Sequence, residues 1–222
     1  MGFSAEIRRR ADDIWQAIFS HPFVVGIGEG TVPLDAFRFF VQQDYLYLVE
    51  YCRVRALAVA KASDLATMRH LAQFLMVNLE GEMNLHRHLA RPIGISRAAL
   101  DRGKMAPTNW AYTRHLLHVA HAYGAPDVVA ATLPCLWTYS DIGRRLARWR
   151  RPRRHPVLTQ WVRTYASPAM AERNRWSQAY LDAYARAATA RVRARLEEHF
   201  VVSSRYELGF WEMAWTRETW PA

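Results

Sequence analysis

Apolar residues recur along most of the chain at helical steps of three and four, and the strict alternation of a half-buried strand is absent. Ile7, Ile14, Trp15 and Ile18 mark one face of a first helix over about 4–20. The stretch from His21 to Pro33 predicts a loop, because Pro22, Gly26, Gly28 and Gly30 propagate a helix poorly. Its G-x-G-x-G pattern follows no strand, so it does not read as a phosphate cradle. A long helix is expected over about 34–62, with Phe37, Phe40, Val41, Tyr47, Leu48, Tyr51 and Val54 as its apolar stripes. Asp64 is a good N-cap for a third helix reaching about Leu89, before Pro92 and Gly94. A fourth follows Pro107 and runs to Tyr123, with Gly124 at the C-cap position. The next runs from Pro126, a favoured first-turn residue, to about Trp149. A break over 151–156 precedes helices to about 166, over 168–198 and over 204–217. The expectation is one all-α domain over 1–222, without linker, repeat or low-complexity segment.

Composition narrows this picture. The 222 residues are 51% hydrophobic and 23% charged, the balance of a chain that buries a core. No apolar run approaches the roughly 18 residues of a membrane span. The N-terminus carries Glu6, Arg8, Arg9, Arg10, Asp12 and Asp13 where a signal peptide would be continuously apolar, and Glu6 argues against myristoylation of Gly2. The expected location is the cytoplasm, with no membrane partner. Two cysteines, Cys52 and Cys135, exclude a disulfide framework and argue against a Cys-ligated zinc site. The net charge is +10, and every basic residue but Lys61 and Lys104 is arginine. Arg144, Arg145, Arg148, Arg150, Arg151, Arg153 and Arg154 form one cluster. It reads as a solvated helix end and loop rather than a nucleic-acid patch, since no nucleic-acid motif accompanies it.

Several residues could carry chemistry. Asp44, Tyr47 and Tyr51 share a face at i, i+3 and i+7 on a strongly apolar helix. A carboxylate there is costly to bury without a partner, either a core Arg or Tyr or a ligand's donors. Cys135 has Tyr139 one turn on, yet a free cysteine alone is usually core filler. Glu207 follows Ser203 and Ser204 as in a capping box, and alternatively faces a pocket to form an acid/base pair with Asp44. Glu82 and His86, with His88 near, and the run His115, His118, His121 invite a metal reading. The carboxylate–histidine spacing occurs once only and the histidine run drifts around its helix, so no metal is expected.

Six segments in order resemble the TenA family, also called thiaminase II or aminopyrimidine aminohydrolase. They are His21-Pro22-Phe23-Val24 with Gly26-Ile27-Gly28-Glu29-Gly30-Thr31; Gln43-Asp44-Tyr45-x-Tyr47; Glu82-Met83-x-x-His86; Leu133-Pro134-Cys135-x-Trp137-x-Tyr139; Trp161-x-x-Thr164-Tyr165; and Phe200-x-x-Ser203-Ser204-x-Tyr206-Glu207 leading to Phe210-Trp211. The resemblance implies a heme-oxygenase-like helical bundle without heme or other cofactor, assembled as a homotetramer. It implies hydrolysis of 4-amino-5-aminomethyl-2-methylpyrimidine to the hydroxymethyl pyrimidine in thiamin salvage, with cleavage of thiamin in many members. The family's nucleophile falls on Cys135, its pyrimidine-binding aspartate on Asp44 and its acid/base glutamate on Glu207. Its binding tyrosines fall on Tyr47, Tyr112, Tyr139 and Tyr165. Ser167-Pro168-Ala169 and Leu208-Gly209 depart from the residues common in relatives, which touches local packing rather than chemistry.

The chemistry this permits is covalent. The Cys135 thiolate adds to the unsubstituted ring carbon beside the reacting arm, the leaving group departs, water adds to the methylene and sulfur leaves. Glu207 polarises the ring and moves protons, Asp44 takes the ring's amino donor, and the tyrosines stack on the ring. Two other classes stand beside this: a pyrimidine-binding or transcription-related regulator without turnover, and a metal-dependent oxidase on the same fold.

Overall fold

The computed structural model describes residues 2–149 and 155–221. Among them there are helices and no strands. The expected break over 151–156 and the arginines at 150, 151, 153 and 154 lie largely outside the described residues. Within them, Arg144 pairs with Asp141 at 2.5 Å and the Arg145 guanidinium sits 3.9 Å over the Phe19 ring, so both make internal contacts.

The first predicted helix is interrupted at Ala11, giving α1 (Phe3–Arg10) and α2 (Asp12–Ser20). The segment expected as a loop instead contains α3 (Pro22–Glu29). Pro22 sits in its first turn, where a missing N–H costs nothing, and the His21 ring Nδ1 accepts the Phe23 N–H. Burial of Phe23, Val24 and Ile27 outweighs the low propensity of its glycines. Gly30 ends it in the left-handed region at φ 72°.

The long central helix is α4 (Leu34–Ala60), close to its expected bounds. Asp64 caps α5 (Leu65–Met76), accepting from the Thr67 N–H at 2.8 Å. The expected continuation to about Leu89 holds: the chain stays helical through a wide π turn over Val77–Glu82 into α6 (Met83–Ala90). After a 3₁₀ turn come α7 (Arg97–Asp101) and α8 (Pro107–Ala122). Gly124 does not close α8; it precedes α9 (Ala125–Ala147) as N-cap. Next come α10 (Pro156–Tyr165) and α11 (Pro168–Ala187).

The last boundary moves furthest. Thr189 accepts from the Val192 N–H and starts α12, which runs unbroken over Ala190–Thr216. Ser203 and Ser204 are therefore mid-helix. Ser204 donates to the Phe200 carbonyl at 2.9 Å and accepts from Trp15 Nε1 at 3.1 Å. The capping-box reading of Glu207 is corrected: its carboxylate points into the interior.

α12 packs on α9, α8, α2 and α4, and α9 is also covered by α10 and α11. The core centres on buried aromatics, with Phe40 stacked on Trp211 at 5.4 Å and Trp161 against Tyr165 at 4.6 Å. A neighbouring cluster of Phe3, Ile7, Trp15, Leu181, Leu196 and Phe200 ties α1 and α2 to α11 and α12. Gly143 lets α9 approach the end of α10: a Cβ there would lie 2.4 Å from the Tyr165 carbonyl carbon. That approach brings Tyr139 and Tyr165 together, ring centroids 4.9 Å apart.

Candidate active site

Asp44, Tyr47, Leu48, Tyr51 and Arg55 recur along one face of α4 and form a wall of an interior cavity. At 1.5 Å per residue this wall is about 16 Å long. Cys135 and Tyr139 of α9, Tyr165 of α10 and Arg173 of α11 line it too. The π turn adds Asn78 and Glu82.

Asp44 is buried, and its Oδ2 lies 2.6 Å from His86 Nε2. The other ring nitrogen of His86, Nδ1, lies 2.9 Å from the Glu82 carbonyl oxygen, which can only accept. Nδ1 therefore carries a proton, and a second proton sits between Nε2 and the carboxylate. Burial pulls the His86 pKa down, but the Asp44 charge and hydrogen bond overcome it and the net shift is upward. So Asp44 has a histidine partner, not the Arg or Tyr that its sequence suggested. Both ring nitrogens of His86 are thus engaged, and no group of three or more His, Cys, Asp or Glu poised around a common point occurs among the described residues. His115 of the other histidine run contacts Ser203 Oγ at 3.2 Å, and burial lowers its pKa to about 4.

Cys135 is half-buried on the α9 wall, one residue after Pro134, which has no N–H to give the helix. Burial pushes its thiol pKa well up, the Glu207 charge adds to this, and the Tyr47 hydroxyl opposes it. Glu207 stands behind the thiol, buried, accepting from the Tyr112 hydroxyl at 2.7 Å and the Thr138 hydroxyl at 3.5 Å. Burial lifts Glu207 to about 8, against the donors Tyr112, Thr138 and Cys135. A carboxyl group that titrates near neutrality beside a thiol can take a proton from sulfur and return it.

Residues 8–217 match the model of the TENA/THI-4/PQQC family. The chain belongs to this family. Within TENA/THI-4/PQQC it is 40% identical over 220 residues to the aminopyrimidine aminohydrolase of Halalkalibacterium halodurans, covering 99% of this chain and 98% of that one. It is 36% identical to the aminopyrimidine aminohydrolase of Bacillus subtilis, covering 99% and 92%. The TenA homologue of P. horikoshii superposes with a TM-score of 0.90 at 28% identity, covering 97% and 99%. A heme oxygenase-like domain from Shewanella denitrificans superposes at 0.74 with 10% identity, covering 96% and 92%, and so shares the fold.

The structure gathers every TENA/THI-4/PQQC position singled out from sequence. Asp44, Tyr47, Cys135, Tyr139 and Tyr165 stand on the cavity wall. Tyr112 and Glu207 form the bonded pair behind it. The Tyr47 ring lies 5.2 Å from that of Tyr112, and its hydroxyl, though buried, makes no well-formed hydrogen bond with the protein. Burial holds all four tyrosines well above the ordinary phenol range, so they remain donors. Sequence reasoning missed His86 as the partner of Asp44, and also Asn78 and Arg55. A buried aspartate on an apolar helix signals a missing cation, but a contact spanning 42 residues leaves no local trace.

Proposed function

We propose that the protein is an aminopyrimidine aminohydrolase of the thiaminase II type. It converts 4-amino-5-aminomethyl-2-methylpyrimidine to its hydroxymethyl counterpart, and it also cleaves thiamin. One observation carries this reading: Cys135 faces the Asp44 wall of a single cavity, with Glu207 at its back.

In this mechanism Asp44, held by His86, accepts the ring's amino N–H and fixes the heterocycle. The Cys135 sulfur bonds to the unsubstituted ring carbon while its proton passes to Glu207. The electron pair gained by the ring is stabilised by buried tyrosine hydroxyls. The arm's C–N bond then breaks: a departing amine takes the pair and the Glu207 proton, whereas the thiazolium nitrogen of thiamin takes the pair alone and leaves as neutral thiazole. Water adds to the exposed methylene and leaves a proton on Glu207. Finally the C–S bond breaks and sulfur recovers that proton. Water is consumed and ammonia released, or, from thiamin, neutral thiazole and one proton passed to solvent, with no change in oxidation level.

The test is incubation with each substrate and chromatographic detection of the hydroxymethyl pyrimidine. Cys135→Ser is expected to lose several orders of magnitude in turnover while still binding that product. Hydrolysis at the wild-type rate would dismiss the nucleophile. Asp44→Ala is expected to weaken pyrimidine binding as well as rate, and unchanged affinity contradicts its role as ring holder. We also read the enzyme as a cytoplasmic homotetramer. Leu65, Met68 and Met76, exposed along one side of α5, are apolar surface suited to a second copy.

A further inference from the structure

We propose that the end of the cavity remote from Asp44 is a subsite for the departing group, where Arg55 and Asn78 hold a hydrogen-bond-accepting oxygen several bonds beyond the reacting methylene. This rests on the aminopyrimidine reading above and adds what lies on the far side of the scissile bond.

Length is the first argument. The α4 wall extends about 16 Å from Asp44 to Arg55, while one six-membered ring and its substituents cover less than half of that. In the proposed pose the ring amino group sits at Asp44 and the reacting arm is directed along α4 toward Arg55, about three helical turns away.

Arg55 is the second. It is 3% exposed, and it has no carboxylate within ion-pair distance among the described residues. One guanidinium nitrogen donates to the Tyr51 hydroxyl, the group lies 4.8 Å over the Tyr51 ring, and the buried Nε has no partner. Arginine does not shed its proton to relieve burial. A buried cation served only by a phenol and ring faces is costly, and the cost is relieved when a ligand supplies the acceptor.

Asn78 is the third. It is 4% exposed, lines the same cavity, and its side chain makes no hydrogen bond with described residues. The wide turn over Val77–Glu82 places it on the wall together with Glu82. Glu82 is engaged by Arg173 at 3.4 Å, and the Arg173 Nε is also unpartnered. This end thus carries two guanidinium groups, one carboxylate and one free amide. It offers donors, and it suits a hydroxyl or other acceptor oxygen on a long leaving group. Ammonia, the leaving group of the aminomethyl pyrimidine, is too short to use it.

Three compounds sharing the pyrimidine test this: the aminomethyl pyrimidine, thiamin, and a thiamin analogue with ethyl in place of hydroxyethyl. Turnover is measured on wild type and Arg55→Met, and affinity by calorimetry in a Cys135→Ser background with and without Arg55→Met. Wild type is expected to favour thiamin over the ethyl analogue by at least about tenfold, the range of a hydrogen bond to a charged group. Arg55→Met is expected to erase that preference and to cost turnover of thiamin at least about tenfold more than turnover of the aminomethyl substrate. Its apo thermal midpoint should equal or exceed the wild-type value, since it removes an unpaired buried charge. Asn78→Ala should reduce the same preference without disturbing the guanidinium. Equal loss on all three compounds, no hydroxyl preference in wild type, or a markedly lower midpoint for Arg55→Met overturns the subsite. Failure of wild type to hydrolyse the aminomethyl pyrimidine instead overturns the reading on which it rests.

Discussion

Glu207 couples stability to acidity at a single side chain. A glutamate in the unfolded chain titrates near ~4.3, whereas burial lifts the folded group to about 8. Folding therefore takes up a proton between these values. The stability linked to the protonated form is complete below the unfolded pKa and is lost as pH rises through 8. Between pH 6 and 9 the wild-type thermal midpoint should fall more steeply than that of Glu207→Gln, which should be nearly inactive; parallel pH–melting curves would refute the assignment. A second expectation concerns His86. Imidazole ¹⁵N shifts at pH 7 should show it doubly protonated and His115 neutral, in line with opposite shifts of their pKa values. Asp44 was legible as a costly carboxylate on an apolar helix, whereas Cys135 alone reads as core filler and Glu207 alone fits a capping box, and both drew their catalytic roles from the family resemblance. Their bonding was not legible, since the His86–Asp44 and Tyr112–Glu207 contacts join helices far apart in sequence.

Individual helices carried most of the readable information, and their errors share a cause. The periodicity of α4 and the cap at Asp64 are local, and both match expectation. The wide turn over Val77–Glu82 leaves no mark in the hydrophobic pattern, yet it carries Asn78 and Glu82 onto the cavity wall. The Ser203-Ser204-x-x-Glu207 signature misled because Ser204 satisfies itself within the helix and binds Trp15 across the core. The α9–α10 contact gives a prediction on this scale. Gly143→Ala puts a methyl 2.4 Å from the Tyr165 carbonyl carbon. It should destabilise the protein by about 1–3 kcal/mol, as overpacking does, and raise KM by separating Tyr139 from Tyr165. Denaturant titration and steady-state kinetics read both effects, and a neutral Ala variant would show that the close approach is not needed.

For the whole molecule, α9 and α12 each pack against several other described helices, and thermal unfolding of the enzyme is expected as a single cooperative transition seen alike by circular dichroism and tryptophan fluorescence. Light scattering is expected to give about four times the 25.7 kDa chain mass, and Leu65→Glu with Met76→Glu should reduce it. A monomeric wild type would remove the tetramer. No helix among the described residues is long and apolar enough to cross a membrane. The placement of Asp44 and Arg55 on one unbroken helix has a further effect. That helix works as a ruler whose graduations are fixed by backbone hydrogen bonds. Inserting one residue between 44 and 55 would swing everything beyond it by about 100°, at 3.6 residues per turn. The spacing of Asp44 and Arg55 therefore depends on the residue count between them as much as on their identity.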